Sequence, residues 1–240
     1  MRLYGTAQRP ASRLREGLLN HFGGTRFAGP AMGGGPEIDR QRPTPLHPPK
    51  PAFITLMGNI HGPAPVLLLV AVSSRYPEAL EWTQRRFADA FGSLLPASDR
   101  FPFEQTDYYR ASMGSELFKA FLAVEQPIDP GQLASVKIRT NAWEEEYAAA
   151  AGHPEPRPLN LDPGYLAEDK LVLASTKNHA HRLYLSDGIY AEFTLQFRGR
   201  RWQNCPWTYP DYQQASYHNF FTDCRNHLRS VLSRRPPAPA

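Results

Sequence analysis

The stretch Val66-Leu67-Leu68-Leu69-Val70-Ala71-Val72 decides the fold class, because it is an uninterrupted apolar run that follows a segment punctuated by glycine and proline. A short apolar run without polar alternation predicts a central β-strand that is buried on both faces. The wider run Pro63–Ser74 is shorter than the roughly 18 apolar residues that indicate a membrane-spanning helix. We therefore expect a globular domain built around this strand, with no membrane span.

Helices and strands alternate on the C-terminal side of this strand. In order, the sequence predicts a helix from Pro77 to Gly92, strands over Phe101–Tyr109 and Glu116–Glu125, a helix from Asp129 to about Ala151, and a strand around Pro158–Leu161. Asp129 and Pro130 are typical of an N-cap residue followed by proline in the first turn. Together with the central strand this order is βαββαβ, the ferredoxin-like arrangement.

The next segment has two interpretations. Asp162-Pro163-Gly164 again offers an N-cap and a first-turn proline, which predicts a short helix through Leu173. The apolar run Leu171–Ala174 equally favours a strand.

A β-hairpin is the clearest element after it. His181–Leu185 and Ile189–Phe197 alternate in polarity and flank Ser186-Asp187-Gly188. We expect a three-residue loop with glycine in the left-handed conformation. This loop length keeps the odd-numbered apolar residues of both strands on one face, together with His181, which is therefore a candidate core histidine. The predicted opposed pairs are Leu185–Ile189, Leu183–Ala191, Tyr184–Tyr190 and Arg182–Glu192, with the last two pairs on the other face.

A final helix over about Gln213–Leu232 completes the fold. Its apolar stripe at helical spacing predicts packing on one face of the sheet. We therefore expect an α+β domain over residues 57–232: a ferredoxin-like βαββαβ core extended by a β-hairpin and a C-terminal helix.

The two ends of the chain differ in composition from this domain. Residues 1–56 are basic and rich in proline and glycine, and we expect them to be disordered apart from a short helix over Ala11–Phe22. Translation beginning near Met57 is an alternative. Residues 233–240 form a second disordered tail.

Charge argues against a nucleic-acid partner. Residues 1–50 hold eight basic and three acidic side chains, whereas residues 51–240 hold 19 basic and 20 acidic ones. The folded part therefore lacks the positive field that drives binding to nucleic acids. Cys205 and Cys224 form no zinc motif, and their use fits a reducing cytoplasm, with no signal peptide evident.

Several short motifs occur together between residues 106 and 212. They are Thr106-Asp107-Tyr108-Tyr109 with Met113-Gly114, Lys137 with Thr140-Asn141 and Glu144, Asn160-Leu161-Asp162-Pro163-Gly164-Tyr165, Leu171-Val172-Leu173-Ala174-Ser175-Thr176-Lys177 leading into His181-Arg182-Leu183-Tyr184-Leu185, Gly188-Ile189-Tyr190-Ala191-Glu192, and Trp207-Thr208-Tyr209-Pro210-Asp211-Tyr212. In these motifs the chain resembles a prokaryotic family, the domain of unknown function 4416, over roughly residues 64–230. The resemblance implies no activity, and the chain has no G-x-x-x-x-G-K-[ST] phosphate loop.

The candidate site residues cluster around the hairpin. Lys177 and Arg182 are candidates to hold an anion. Asp162 and Glu192 are candidates for a catalytic base or a metal ligand, and His181 is a third catalytic candidate. The alternatives to these functional roles are that Asp162 caps a helix and that Arg182 and Glu192 form a structural ion pair.

Further candidates lie outside the hairpin. Lys137 and Asn141, with Glu144, share one helical face that either lines a cleft or is simply hydrated. Asp211 supplies another carboxylate, and Tyr209 is one of several aromatic residues that flank loops. His179 and His181 are two residues apart, so on a strand they would share a face. Without a third ligand nearby in the sequence, this is only a weak indication of a metal site.

These residues predict a cytoplasmic enzyme or binder for a small anionic ligand, either phosphorylated or nucleotide-like. The alternative is a non-enzymatic interaction module that uses an aromatic-rich surface. The sequence leaves the cofactor and the oligomeric state open. The ligand hypothesis requires a concave pocket in which at least three of the residues Asp162, Lys177, Arg182, Glu192 and Asp211 lie within about 8 Å of one another.

Overall fold

A computed structural model describes residues 61–103 and 109–234 of the 240-residue chain, and the predicted central strand is fully buried in it. In chain order, the elements are β1 (Leu67–Ser74), α1 (Pro77–Phe91), β2 (Phe101–Pro102), α2 (Arg110–Met113), β3 (Phe118–Ala123), α3 (Leu133–Ala151), β4 (Leu159–Leu166), β5 (Lys170–Ser175), β6 (Arg182–Ser186), β7 (Ile189–Arg198), β8 (Arg201–Asn204) and α4 (Ala215–Ser233). Short 3-10 turns, Pro130–Gln132 and Pro210–Gln213, precede α3 and α4.

The described strands form one antiparallel sheet. Its strand order is β2-β3-β1-β4-β5-β7-β6, and β8 pairs with β7 outside this path. The predicted α+β class is confirmed. None of the helices in the ranges given above is long and apolar enough to cross a membrane.

Helices cover both faces of the sheet, which explains why β1 is apolar without alternation. Leu68, Val70 and Val72 of β1 pack against α1 and α3. Leu67 and Leu69, on the opposite face, pack against α4. Because both faces of β1 are in apolar cores, every position of the strand favours an apolar residue.

The helices are close to their predicted positions. Gly92 ends α1, and the Asp129 side chain accepts a hydrogen bond from the Gly131 amide at the turn that leads into α3. Of the apolar stripe predicted for α4, four residues are buried, namely Tyr217, Phe221, Cys224 and Leu228, whereas Phe220 and Val231 are half-buried.

The second predicted strand is much shorter than expected. Only Phe101–Pro102 of the predicted Phe101–Tyr109 strand is β-structure, and Tyr109 lies at the start of a helical turn. Residues 104–108 lie outside the described residues, as do residues 1–60 and 235–240. The expectations of disorder in 1–56, of a helix over Ala11–Phe22, and of a start near Met57 therefore stay predictions, as does most of the 233–240 tail.

The helix predicted from Asp162 is wrong, because β4 continues through this tripeptide. Asp162-Pro163-Gly164 pairs with β1, and Lys170–Ser175 is the next strand. Asp162 therefore caps no helix. The tripeptide is the same as Asp129-Pro130-Gly131, which does begin a helical turn. Local signals are identical at the two sites, so tertiary pairing decides between helix and strand.

β4 and β5 are paired over only part of their length. All eight residues of β4 pair with β1, whereas only Gly164–Leu166 pair with β5. Pro163, which has no N–H to give to a ladder, lies directly before the first residue paired with β5. A Cβ atom on Gly164 would lie 2.5 Å from the Val172 carbonyl oxygen and 2.7 Å from Leu173 Cδ2. Glycine therefore permits the close approach at the point where the two strands separate.

The hairpin confirms three of the four predicted pairs. Leu183 pairs with Ala191, Tyr184 with Tyr190 and Arg182 with Glu192. The Leu185–Ile189 pair is wrong, because Ser186 pairs with Ile189 and Leu185 is the extra residue of a bulge. Asp187 and Gly188, with φ values of 51° and 78°, form the two-residue turn that tight hairpins prefer.

The burial predicted for the two hairpin faces is also wrong in part. Ile189 is buried as expected, but Leu183 is 76% exposed. The polar pair Arg182–Glu192 is buried instead. Ile189 packs in a cluster with Leu133 and Ala134 of α3, and Leu183 is not part of that cluster. Arg182 instead binds the hydroxyl of Tyr209, directly before the turn Pro210–Gln213.

Substitution of Gly164 by alanine tests the close approach of β4 and β5. We expect Gly164→Ala to lower the free energy of unfolding by about 1–3 kcal/mol, because the new methyl group meets backbone and cannot be accommodated without a shift of the strands. Urea unfolding at neutral pH measures this. Gly62→Ala, where a Cβ would meet nothing within 4 Å, is the control and should be close to neutral. Equal stability of the two variants would contradict the argument.

Candidate functional site

A cleft of about 760 Å³ opens where β4 and β5 separate. Asn160 and Asp162 of β4 line one side of it, and Ala174 and Ser175 of β5 line the other. β3, α3, β7 and the 3-10 turn Pro210–Gln213 contribute the remaining walls. The cleft is therefore a consequence of the partial pairing between the two strands.

The structure brings the predicted site residues together, with one exception. The cleft is lined by Asp162, Lys177, Arg182, Glu192, Asp211, Lys137, Asn141 and Tyr209. His181 is not among the lining residues. Asp162, Lys177, Arg182, Glu192 and Asp211 thus line one concave cleft, in which Arg182 and Glu192 are in direct contact.

Arg182 is saturated with hydrogen bonds. Its Nε donates to Glu192 Oε2 at 2.8 Å, and its Nη2 lies 2.7 Å from the same oxygen. Nη1 donates to Ser175 Oγ at 2.8 Å and to the Lys177 carbonyl oxygen at 2.9 Å, and Nη2 also donates to the Tyr209 hydroxyl at 2.9 Å. A guanidinium has five N–H donors, and all five are engaged. Arg182 therefore fixes the cleft wall and has no donor left for a ligand.

Glu192 is equally enclosed. Its side chain is 2% exposed and lies against Arg182 and the hydroxyl of Thr194. His181 Nε2 lies 3.2 Å from Glu192 Oε2, and the His181 ring stacks on Trp207 with ring centroids 5.2 Å apart. Glu192 and His181 thus connect the hairpin to the loop before α4. This favours the structural alternative for the Arg182–Glu192 pair.

The two histidines of the weak metal signal stack on each other. The rings of His179 and His181 are 5.8 Å apart and nearly parallel. Across residues 61–103 and 109–234, no group of three or more His, Cys, Asp or Glu side chains has the arrangement needed to hold a metal ion.

Asp162 keeps an accessible carboxylate beside a buried ammonium group. Lys137 Nζ donates to the Leu161 carbonyl oxygen at 2.8 Å and to Asp162 Oδ1 at 3.4 Å, and Asn160 Nδ2 donates to Asp162 Oδ2 at 2.7 Å. The Lys137 side chain is 6% exposed, whereas that of Asp162 is 33% exposed. Burial pushes the pKa of Asp162 up, but Lys137 and Lys119, with the Asn160 hydrogen bond, outweigh it and hold the pKa below its ordinary value. Asp162 is therefore ionised at neutral pH.

Lys119 is a site residue that the sequence analysis missed. Its Nζ lies 2.5 Å from Asp211 Oδ2, and both side chains are 6% exposed. The ammonium group also lies 4.0 Å from the ring centroid of Phe103 and 5.1 Å from that of Tyr212. The sequence does contain an indication of this role, because Lys119 is the one charged residue in the otherwise apolar strand Phe118–Ala123. A lysine in a buried strand indicates a paired or functional charge.

The predicted polar face of α3 faces the cleft rather than solvent. Glu144 Oε1 accepts a hydrogen bond from the Leu161 amide at 2.7 Å, and Glu144 Oε2 accepts one from Arg157 Nη2 at the same distance. Burial raises the pKa of Glu144, although Arg157 and Lys137 oppose this. Arg157, also missed by the sequence analysis, binds Asn160 as well.

Ion pairs balance the charge of the cleft wall. The pairs are Lys119–Asp211, Lys137–Asp162, Arg157–Glu144 and Arg182–Glu192. Four buried or half-buried cations are thus offset by four carboxylates. These four pairs therefore contribute no net charge to the cleft wall.

Comparison with known proteins identifies the family. Residues 64–228 match the family described as Domain of unknown function (DUF4416), and the chain belongs to that family. The chain has no significant match among curated proteins.

A double-mutant cycle tests the buried Arg182–Glu192 pair. We expect Arg182→Met to lower the free energy of unfolding by about 3–5 kcal/mol, because it leaves the Glu192 carboxylate buried without its counter-ion. Adding Glu192→Leu should recover part of the loss in urea unfolding. Arg229→Met breaks the exposed pair with Glu168 and should cost less than about 1 kcal/mol. A double variant as unstable as the sum of both single variants would show that the pair is not coupled.

Proposed function

We propose that the cleft binds a small anionic ligand, phosphorylated or nucleotide-like, and that Asp162 acts on it. The volume of about 760 Å³ falls in the range of small-molecule and cofactor sites. The lining combines aromatic rings with many charged and polar side chains, most of which are held in place by ion pairs. Convergent polar groups of fixed position orient a bound ligand.

Two buried ammonium groups in one cleft are the observation that carries this proposal. Lys119 and Lys137 are each 5% exposed, and lysine is almost never buried to this degree unless it is paired. Replacing such a pair by apolar residues is often neutral or stabilising, so its retention in a cleft needs a reason other than stability. Binding of an acceptor-rich group supplies that reason, because each ammonium group has three donors and few protein acceptors around it.

Asp162 is the residue we assign as the base. It is ionised, it faces the cleft, and Lys137 and Asn160 fix its two oxygens. A carboxylate in this position is able to accept a proton from a ligand hydroxyl or from water. Lys177 remains a candidate ligand contact. Arg182, Glu192 and His181 are assigned a positioning role, because their polar atoms are occupied by one another.

The first half of the sheet supports a ferredoxin-like core around this site. The order β2-β3-β1-β4 is antiparallel throughout, and α1 and α3 pack on the same face. We infer on this basis that β1 to β4 with their two helices form the βαββαβ unit, and that β5 to β8 extend it.

A thermal-shift screen with a charge-matched control tests the proposal. The compounds are nucleotides, sugar phosphates and divalent metals, each added to the full chain. We expect a phosphorylated compound to raise the Tm, and Lys137→Gln to weaken its binding about tenfold, since a charge-assisted hydrogen bond is lost. Arg139→Gln removes the same charge from an exposed position of α3 and should leave binding unchanged. An equal effect of the two variants, or no shift by any compound, would contradict the proposal.

An exposed apolar patch favours a second candidate function, a protein-interaction surface. The exposed side chains that we call the patch are Leu183, Tyr184 and Leu185, which alternate between the two faces of β6, and Trp207 and Tyr209 of the loop before α4. They are between 38% and 76% exposed. Three of these residues lie on β6, which is at the edge of the sheet. Edge strands offer unpaired backbone groups to another chain, and two copies of one antiparallel edge are self-complementary.

Sedimentation velocity over a range of protein concentrations tests this candidate. If the patch is an interface between two copies, the protein should associate with rising concentration and Leu183→Lys should abolish the association. Ile138→Lys changes an exposed apolar residue of α3 outside the patch and should not affect it. A protein that stays monomeric at every concentration would count against the self-association.

A further inference from the structure

The inner end of the cleft contains an unsatisfied donor. Tyr212 is 3% exposed and lines the cleft, yet its hydroxyl has no hydrogen-bond partner among the residues that the structure describes. A buried polar group without a partner costs about 1–3 kcal/mol, and most such groups in proteins bind water or a ligand. The hydroxyl therefore marks a position where a polar atom of another molecule is expected.

The phenol is held rigidly in this position. The Tyr212 amide donates to the Tyr209 carbonyl oxygen at 3.0 Å within the 3-10 turn, and the Tyr212 carbonyl oxygen contacts His218 Nε2 of α4 at 2.9 Å. The ring packs on Phe121 and, edge to face, on Tyr217. Because the backbone and the ring are both fixed, the hydroxyl has little freedom to turn towards a protein acceptor.

The group that fills this position must be an acceptor. Burial raises the pKa of Tyr212 well above its ordinary value, and the nearby carboxylates of Asp211 and Asp162 raise it further. The hydroxyl is thus protonated at physiological pH and donates. The Lys119 ammonium group lies 5.1 Å from the same ring, and Asp211 is its only hydrogen-bond partner in the described part of the chain. Two buried donors with unused hydrogen-bonding capacity therefore belong to neighbouring residues of the cleft lining.

We propose that Lys119 and Tyr212 form a subsite for the phosphoryl group of the ligand, and this inference rests on the proposed function. A phosphoryl group presents three terminal oxygens, so it can accept from the Tyr212 hydroxyl and from the two remaining N–H groups of Lys119 at once. A carboxylate has only two oxygens for these donors.

This assignment limits where the rest of the ligand can lie. With the phosphoryl group at Lys119 and Tyr212, the uncharged part of the ligand is left to contact other lining residues, among them Asn141, Lys177 and the ring of Tyr209. The sequence-based expectation that Lys177 and Arg182 hold the anion is thereby replaced by an anion site formed by residues of β3 and the turn before α4.

Two tyrosine-to-phenylalanine variants test the subsite with inorganic phosphate as the probe. Tyr212→Phe removes only the hydroxyl, and we expect it to weaken phosphate binding about tenfold in a calorimetric titration, as loss of a hydrogen bond to a charged group does. Tyr217→Phe is the matched control, because Tyr217 also has a buried hydroxyl without a partner but does not line the cleft. We expect the Tm of neither unliganded variant to fall, since both lose a hydroxyl that has no protein partner.

The outcomes separate the subsite from the wider proposal. Selective loss of phosphate affinity in Tyr212→Phe supports the subsite. Unchanged affinity in that variant, or an equal loss in Tyr217→Phe, overturns it. If phosphate fails to bind the wild-type chain while a compound from the thermal-shift screen binds in a Lys137-dependent manner, the subsite is overturned and the proposed function stands. If no anionic compound binds the wild-type chain, both are overturned.

Discussion

The separation of β4 from β5 is the constraint on which the rest of the site depends. Two antiparallel strands that paired over their full length would leave no opening between them, and the sheet would be continuous from β2 to β6. Pairing begins only at Gly164, because Pro163 cannot donate to a ladder and glycine alone permits the close approach to β5. Side chains before this point, Asp162 among them, consequently face a gap and not a neighbouring strand.

The buried charges follow from this opening. A gap in the middle of a sheet exposes backbone and strand side chains to water that has entered the protein, so polar side chains there are less costly than in a closed core. A lysine or arginine lies next to each of the four paired carboxylates. The guanidinium of Arg182 contacts Glu192 through Nε and Nη2 and uses its other donors on neutral protein acceptors. Lys119 and Lys137 differ from Arg182 in keeping donors that the protein does not use. The unused donors are what distinguishes the two lysines, which we propose bind the ligand, from the structural Arg182.

Sequence patterns predicted the parts of this arrangement that local physics determines. The uninterrupted apolar run predicted the buried strand β1. The alternation of polar and apolar residues along the hairpin predicted the Arg182–Glu192 pair, but it did not predict which face of the hairpin is buried. Asp129-Pro130-Gly131 and Asp162-Pro163-Gly164 show the limit of local rules, because identical tripeptides begin a helical turn in one place and cross a sheet in the other. Lys119 was missed for a related reason. Its role depends on Asp211, which is 92 residues away in the chain.

Charge balance constrains what kind of ligand the cleft can distinguish. A cleft with excess positive charge attracts polyanions over long distances, and its affinity falls steeply as salt is added. Here each ion pair combines one positive and one negative charge, so the electric fields of the four pairs largely cancel at long range. An approaching anion therefore experiences little net field from them. Attraction begins only when the ligand is close enough to contact individual donors, whose hydrogen bonds are short-ranged and, in a buried position, weakly screened by salt. A wall of this kind favours a compact ligand with a few correctly placed oxygens over a long polyanion, and this is the physical reason for preferring a small phosphorylated molecule to a nucleic acid.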